Sequence, residues 1–380
     1  MKALFLTFLF SLPAAAAAGP LNMIPCSIYG TDDRVDLYQA EARMRAMAGS
    51  TAAMFKDSEI PLDEATGSYT LRRLSLREKN NLRGTARFGE QTVGAYCSAV
   101  LVGDDLMLTA GHCFKPDRRG GPCERVKFVF GYAMTSSTAT PGTFPASDVY
   151  SCKSIVKQRV RDDVSNFSCS GGTCTEAALN GLGPDWALVK LDRKVKGRVP
   201  LAISRGAVST SAKLTAIGYP SGLPVKVSPN GSVRSISSAN GYFVTDLDTF
   251  AGSSGGPVIN SETYRIEGIL VRGGVDYIYG TGTPVEDPRN PYMYDPGEAN
   301  VYPQNGGRGE DVTLSSEFQS LIPKGEFERS LEEYERQRNS APARPRAVPA
   351  IYMPGSGGSG VVPAIYVPPP TVSEPRVLSI

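Results

Sequence analysis

The sequence predicts an all-β protein, and two observations carry this prediction. From residue 96 onward, short runs rich in β-branched and aromatic residues follow one another: CSAVLV, LMLTA, VKFVFGY, WALVKL, KLTAIGY, YFVTDL, PVIN and RIEGILV. Gly, Pro, Asp and Ser punctuate these runs. Short strands with turn residues between them are typical of a β-barrel or sandwich, and not of strands that alternate with crossover helices.

Two short helices are expected near the end of this region. The first lies between Val312 and Pro323, because three apolar residues there fall on one helical face: Phe318, Leu321 and Ile322. The second is EFERSLEEYERQR, residues 326–338, whose apolar residues recur at i, i+4 and i+7: Phe327, Leu331 and Tyr334. Residues 324–339 are therefore predicted to form a short helix or linker after the β domain.

The N-terminus, MKALFLTFLFSLPAAAAAGP, has the three parts of a secretory signal. Lys2 is followed by the apolar run Ala3–Leu12 and by small residues that end near Ala18. The apolar run is too short to span a bilayer. We therefore expect residues 1–18 to be a signal peptide. The mature protein is expected outside the cytoplasm, secreted or periplasmic, with no insertion into the membrane.

Export would place the seven cysteines in an oxidising compartment, where disulfides persist. The pair Cys97–Cys113 flanks a strand-like run. Two further pairs, Cys169–Cys174 and Cys123–Cys152, are less constrained by the sequence. Cys26 is then left without a partner. A zinc site is the competing account, but the chain has one histidine and no CxxC motif. Disulfides are favoured, and no metal is predicted.

The balance of basic and acidic residues argues against one class of binding partner. Lys and Arg total 40 against 38 acidic residues, so the chain has no excess of positive charge that would indicate nucleic-acid binding.

Residues 340–380 are rich in proline, and VPAIYMP (348–354) recurs as VPAIYVP (362–368) across GSGGSG. Such a tail is expected to be disordered or polyproline-like. It is either a docking site for a partner or, as we favour, a spacer.

The stretch TFAGSSGGPVIN, residues 249–260, is the first candidate for chemistry. A serine hydroxyl is a poor nucleophile unless a base takes its proton, and the usual base is histidine. The single histidine of the chain, His112, ends an apolar run in LMLTAGHCF and precedes Cys113. A cross-link there would hold the base on a rigid strand end. Such covalent catalysis needs no cofactor.

A carboxylate must orient the imidazole, and Asp185 in GPDWALVKL stands out because it opens an apolar run. Other acids look like solvated loop or turn charges: Asp192, Asp162–Asp163 and Asp104–Asp105.

The order of the candidate residues along the chain distinguishes two classes of serine hydrolase. GSSGG also satisfies the G-x-S-x-G pattern of α/β-hydrolases, but in that fold the histidine follows the serine. Here His112 comes 142 residues before Ser254, the order of chymotrypsin-type β-barrels.

TAGHC, GPDWALVKL and GSSGGPV together resemble the three signature segments of the chymotrypsin/trypsin-like serine protease family. The similarity is closest to the bacterial branch that includes the staphylococcal glutamyl endopeptidase, which IYGTDDRVDL, IGYPSGLP and LDTFAGSSGGPVIN also fit. The resemblance covers roughly residues 27–322. It implies two six-stranded antiparallel β-barrels with the triad in the cleft between them, and a peptidase domain at residues 27–323.

The resemblance also implies roles. Ser254 would be the nucleophile, His112 the general base and Asp185 the residue that fixes the imidazole tautomer. The backbone N–H groups of Gly252 and Ser254 would form the oxyanion hole. Ser253 departs from the animal enzymes, which carry there an aspartate that pairs with the freed N-terminus.

By similarity to the bacterial branch, a mature N-terminus near Ser27 or Ile28 is expected, with residues 19–26 as a short propeptide that contains Cys26.

Three residues are candidates for substrate binding: Asp248, Thr249 and Gly273. Asp248 matches the aspartate at the base of the substrate pocket that selects Arg or Lys in trypsin. The alternative interpretation of Asp248 is a structural acid in a turn. Thr249 matches a threonine that glutamyl endopeptidases use to bind acidic side chains. The histidine that those enzymes also use would fall near Val271, so this mode of recognition is incomplete here. Arg272 either pairs with Asp248 or contacts acidic substrate.

The sequence thus predicts a secreted serine endopeptidase that acts on protein or peptide substrates. Two alternatives stay open. One is a protease-fold binding or adhesion module without turnover, with the proline-rich tail as its partner site. The other is a serine esterase on the same barrel.

Overall fold

Strands dominate the structure, a computed structural model that describes residues 27–72, 74–114, 123–162, 182–279 and 296–340. The predicted signal peptide, the propeptide, the Cys169–Cys174 pair and the proline-rich tail lie outside these residues.

The strands of the N-terminal half are β1 (Ile28–Tyr29), β2 (Val35–Asp36), β3 (Thr51–Lys56), β4 (Leu62–Asp63), β5 (Ser68–Thr70), β6 (Cys97–Gly103), β7 (Leu106–Thr109), β8 (Val126–Val129), β9 (Thr143–Pro145), β10 (Val149–Asp162) and β11 (Leu182–Leu191). Those of the C-terminal half are β12 (Lys213–Gly218), β13 (Lys226–Ser237), β14 (Tyr242–Thr245), β15 (Pro257–Asn260), β16 (Ile266–Arg272), β17 (Tyr277–Ile278), β18 (Glu298–Ala299), β19 (Val301–Tyr302) and β20 (Glu310–Leu314). The described helices are α1 (Ala42–Ala48), α2 (Leu76–Asn80) and α3 (Glu326–Ser340).

The first barrel closes in the order β10-β11-β7-β6-β3-β8, with every pair antiparallel. Its interior is filled by large apolar side chains that have no exposed surface, among them Met54, Val100, Leu108, Phe128 and Val189. Because side chains alternate between the two faces of each strand, one face of every strand supplies this core.

The second barrel runs β12-β15-β16-β20-β14-β13, and the pairing of β12 with β13 closes it. Strand β2 pairs with the first two residues of β13. The core of this barrel includes Leu214, Phe243, Val258, Leu270 and Val312. The prediction of two six-stranded antiparallel β-barrels is confirmed.

One of the two predicted helices is wrong. Residues 310–314 form β20, between β16 and β14, and all five are buried. The chain then continues in the single 3-10 turns Ser315–Glu317 and Gln319–Leu321. Phe318 and Ile322 are buried as the pattern suggested, but from these turns. Leu321, the third residue of the predicted apolar face, is exposed. The pairing of β20 with two neighbouring strands decided the backbone conformation.

The second predicted helix is confirmed as α3. Its Phe327 and Leu331 pack on Ala202. Glu328, which is buried, pairs with Arg205 at 2.7 Å. No described helix is long and apolar enough to cross a membrane.

Two predicted disulfides are confirmed, Cys97–Cys113 and Cys123–Cys152, with Cα atoms 6.3 and 5.2 Å apart. The first joins the start of β6 to the turn after β7. The second joins β10 to the residues just before β8. Both cross-links therefore brace the first barrel.

Candidate active site

His112 lies on a short turn, Gly111–Phe114, which a single residue separates from the end of β7. The disulfide of Cys113 ties this turn to β6. Gly111 allows the turn to sit tightly, because a methyl group built on it would come within 2.9 Å of the carbonyl oxygens of Arg159 and Trp186. The base is thus held by a cross-link on one side and by close packing on the other.

Asp185 lies in β11, which pairs with β7, and it receives two hydrogen bonds from His112. Its Oδ2 is 2.6 Å from the His112 Nδ1, and its Oδ1 accepts the His112 backbone N–H at 2.9 Å. Asp185 is buried, whereas His112 keeps about a quarter of its side-chain surface, 27%, exposed. The two residues form a fixed pair at the edge of solvent.

The pKa of the Asp185 carboxyl lies below its usual value. Burial acts to raise the pKa, but the side-chain hydrogen bond and the charge of His112, with the charge of Arg272, outweigh it. The carboxyl is therefore ionised at neutral pH. An ionised carboxylate facing Nδ1 favours the tautomer that carries its proton on Nδ1 and leaves Nε2 as an acceptor.

The second barrel fixes the backbone of Asp185. The Asp185 N–H donates to the Thr313 hydroxyl at 3.1 Å, and that hydroxyl donates to the Asp185 carbonyl at 3.1 Å. Thr313 belongs to β20 of the second barrel, whereas Asp185 belongs to β11 of the first. The His112–Asp185 pair therefore lies where the two barrels meet.

Ser254 stands on a turn that glycines make possible. Gly252 has φ of +98° and Gly255 has φ of +85°, a region that other residues rarely adopt. A methyl group on Gly255 would overlap the Ser98 carbonyl and the Thr109 hydroxyl. Ser254 is half-buried, whereas Ser253 beside it is buried. Of the two serines, Ser254 is the more accessible.

The same turn is tied to the first barrel through Ser98 in β6. The Ser98 N–H donates to the Ser254 carbonyl at 2.8 Å, and the Ser98 hydroxyl donates to the Gly252 carbonyl at 2.7 Å. Ser98 follows Cys97, whose disulfide holds the His112 turn. One strand, β6, is therefore bonded to both the turn that carries His112 and the turn that carries Ser254.

The turn that carries Ser254 has two backbone N–H groups without an acceptor in the described part of the chain. Their neighbours are engaged: Ser253 N–H donates to Phe250, Gly255 N–H to Leu270, and Gly256 N–H to Ser253. Within the described part of the chain, the N–H groups of Gly252 and Ser254 donate to no protein acceptor. Two free N–H groups beside a half-buried serine can bind an oxyanion.

Asp248 is buried beside a small cavity that Thr249 and Ser253 also line. Its Oδ1 accepts the Tyr29 N–H at 2.8 Å, and its Oδ2 accepts the Asp33 N–H at 2.9 Å. Burial raises its pKa to about 7, against the two backbone bonds, and the charges of Asp33 and Asp32 add to the rise. These contacts favour the structural alternative for Asp248, an acid that anchors the N-terminal segment.

Thr249 and Gly273 meet at a residue that the sequence did not single out. The Thr249 hydroxyl donates to Glu310 Oε2 at 2.7 Å, and a methyl group on Gly273 would overlap the same carboxylate. Glu310 opens β20 and is fully buried. Its only sequence signal was an acid at the start of an apolar run.

Of the two alternatives for Arg272, pairing with Asp248 is wrong. Arg272 Nε lies 3.0 Å from Asp311 Oδ2, and its Nη2 donates to the Gly183 carbonyl at 2.8 Å. Arg272 and Asp311 face each other across β16 and β20, so the strand register makes the pair.

Among the described residues, one group of side chains lies close enough together to be a candidate for binding a metal ion. The candidate ligand group found there is Cys97, His112 and Cys113. Both sulfurs belong to one disulfide, so neither can serve as a thiolate ligand. This donor set does not fit a metal.

Residues 97–269 match the family model described as a trypsin-like peptidase domain. A search of curated protein sequences finds no match. Among solved structures, a Glu endopeptidase in complex with MPD is 18% identical, with a TM-score of 0.37, covering 65% of this chain and 87% of the other. The Rv3671c protease of M. tuberculosis, in its active form, is 11% identical, with a TM-score of 0.40 and coverage of 85% and 94%. The VesB protease of Vibrio cholerae is 15% identical, with a TM-score of 0.39 and coverage of 77% and 66%.

These structural likenesses are remote, and the barrel assignment rests on the strand pairing of the chain itself. The match to the family model begins at Cys97 and includes His112, Asp185 and Ser254. Residues 97–269 are therefore similar to a trypsin-like peptidase domain.

Proposed function

We propose that the protein is a secreted serine endopeptidase whose catalytic residues are His112, Asp185 and Ser254. The observation that carries the proposal is the doubly hydrogen-bonded His112–Asp185 pair. The only histidine of the chain is hydrogen-bonded to a carboxylate at the junction of the barrels. Ser254 stands on a turn that is bonded to β6, the strand whose disulfide holds the His112 turn. We assign this peptidase unit to residues 27–323.

In the proposed reaction, Ser254 Oγ attacks the carbonyl carbon of the scissile bond, and His112 Nε2 takes the hydroxyl proton. The electron pair of the C=O bond moves to the oxygen, which the N–H groups of Gly252 and Ser254 stabilise. Each such donor contributes about 3 kcal/mol of transition-state stabilisation. When the C–N bond breaks, His112 returns the proton to the departing amine and an acyl-enzyme remains.

Water then attacks the acyl-enzyme in a second round of the same steps. His112 accepts a proton from the water, and later gives it to Ser254 Oγ as the acyl C–O bond breaks. Asp185 stabilises the imidazolium that forms twice in the cycle. The charge of Arg272, which helps keep the Asp185 pKa low, supports this role.

Export is part of the proposal. It is supported by the signal-like N-terminus and by two disulfides, which persist in oxidising compartments. We propose a mature N-terminus near Ser27 or Ile28. Sequencing the N-terminus of the active secreted protein tests this point, and a start at Gly19 contradicts it.

Labelling with a fluorophosphonate probe, followed by peptide mass spectrometry, tests the function. We expect a single covalent adduct on Ser254 of the processed protein. No labelling would favour the binding or adhesion module, and labelling of another residue would overturn the assignment. Comparing matched peptide and ester substrates separates an endopeptidase from an esterase, since only the former cleaves the peptide.

A further inference from the structure

A cavity of about 140 Å3 lies apart from the residues that we assign to catalysis and substrate binding. Its walls come from three parts of the chain: residues 32–34 between β1 and β2, residues 76–87 in and after α2, and the residues around β17 and β18. An engineered cavity of about 150 Å3 in another protein binds benzene. The space is therefore large enough for a small organic molecule.

Three arginines line this cavity: Arg34, Arg83 and Arg87. Asp32 engages two of them. Arg34 Nε and Nη2 donate to the Asp32 carboxylate at 2.8 and 2.7 Å, and Arg87 Nη1 lies 2.9 Å from Asp32 Oδ1. Arg34 Nη1 has no acceptor among the described residues, although only 5% of that side chain is exposed. Part of the donor capacity of these guanidinium groups is therefore unused.

Arg83 has the most unused capacity. Its side chain donates to no acceptor in the described part of the chain, and its Nε is buried. The nearest carboxylate oxygen, on Glu298, lies 4.0 Å from that Nε. A buried donor without an acceptor is costly, and native structures usually supply one. Because 39% of the Arg83 side chain is exposed, an acceptor can arrive from solvent.

The lining favours an anion with a short apolar part. Three guanidinium groups face two carboxylates, Asp32 and Glu298, which leaves one positive charge in excess. Guanidinium groups bind carboxylates through two parallel hydrogen bonds. Other lining residues are apolar and buried, among them Leu76 and Leu82. A carbon chain attached to the anion would pack on these leucines.

We propose that this cavity is a second binding site, which takes a small organic carboxylate. Arg83 binds the carboxylate oxygens, with Arg34 and Arg87 adding positive charge, and the carbon chain lies against Leu76 and Leu82. The site goes beyond the proposed endopeptidase function and does not depend on it.

The test measures dissociation constants for the mature full-length protein by ligand-observed NMR at constant ionic strength. The probe is butyrate, which has six non-hydrogen atoms, as benzene has. Butyramide keeps the carbon chain without the charge and should bind at least about tenfold more weakly. Acetate should also bind about tenfold more weakly, because it lacks two methylene groups that the leucines would bury. Inorganic phosphate, which has no carbon chain, should bind more weakly than butyrate.

Two variants locate the site. Arg83→Gln should weaken butyrate binding at least about tenfold, the loss expected when a charged hydrogen-bond donor is removed. Arg77→Gln is the matched control, because Arg77 lies on α2 with 42% of its side chain exposed, pairs with Glu90 and does not line the cavity. It should bind butyrate within about twofold of the unmodified protein. Thermal unfolding checks each variant, and the comparison of ligands on the unmodified protein needs no variant.

Unchanged butyrate binding in folded Arg83→Gln would place the acid elsewhere and overturn the proposal. So would an absence of saturable binding, equal affinities for butyrate and butyramide, or tighter binding of phosphate. Displacement of butyrate by N-acetylglutamate amide would identify an acidic side chain as the source of the carboxylate, whereas no displacement would identify a free acid. The measurement involves no hydrolysis, so Ser254→Ala should give the same constants, and failure of the endopeptidase proposal leaves this test intact.

Discussion

Replacing Asp185 by asparagine changes two atoms that the structure places in contact with His112. Asp185 accepts the His112 backbone N–H at one oxygen and the Nδ1–H at the other. Asparagine has one acceptor oxygen and one NH2 group. If the oxygen keeps the backbone N–H, the NH2 group donates to Nδ1. The ring proton then moves to Nε2, which can no longer accept the proton of Ser254.

The size of the effect follows from this change of tautomer. The same change in a well-studied serine protease lowers kcat by about 10⁴. That factor corresponds to about 5.5 kcal/mol in activation free energy. That factor already includes the loss of the charge that Asp185, which is ionised, directs at the imidazolium. We therefore expect Asp185→Asn to lower kcat by about 10⁴ without preventing folding.

The assay is peptide hydrolysis, with thermal unfolding of the same samples. Asp192→Asn is the matched control, because Asp192 follows the same strand but is exposed and pairs with Arg193 at 3.0 Å. It should retain activity within about twofold, as surface ion pairs contribute little. A folded Asp185→Asn variant that loses less than tenfold would refute the role given to Asp185.

Three other predictions concern the supporting structure. Gly252→Ala should abolish hydrolysis and probe labelling, because alanine is strained at φ +98° and its methyl group would come within 2.6 Å of a carbonyl oxygen; unchanged labelling would contradict this. The pKa of Asp248 rises from 3.8 to about 7 on folding, so between these values the folded chain holds a proton that the unfolded chain releases. Stability to urea should therefore fall as pH rises from 4 to 7, and Asp248→Asn should flatten that profile; a flat profile in the unmodified protein would count against it. Replacing Cys97 and Cys113 by alanine should lower the free energy of unfolding by about 3 kcal/mol, the value for a loop of about 15 residues, measured by urea denaturation; a loss below 1 kcal/mol would contradict the bracing role.

The sequence predicted those parts of the site that depend on local motifs. TAGHC, GPDWALVKL and GSSGGPV each carry one residue of the proposed triad with the neighbours that shape its turn. Gly252 and Gly255 could be read as glycines that allow a positive φ, and both have one. Cys97 and Cys113 flank a hairpin, so their pairing needed only local strand geometry.

Contacts between distant strands could not be read in this way. The Arg272–Asp311 pair exists because β16 and β20 are in register, and Thr313 reaches Asp185 only when the two barrels meet. Glu310 depends on the same register. The wrong helix between residues 312 and 323 has a related cause, since pairing with two neighbouring strands outweighed the periodicity of its apolar residues.

The central claim, that Ser254 is the nucleophile, is tested most directly by peptide hydrolysis with two single variants of adjacent residues. Ser254→Ala should abolish hydrolysis, leaving only the residual rate that binding and the open amides support. Ser253→Ala, which changes a buried neighbour on the same turn, should retain most of the activity. The reverse result, with an active Ser254→Ala and an inactive Ser253→Ala, would contradict the account.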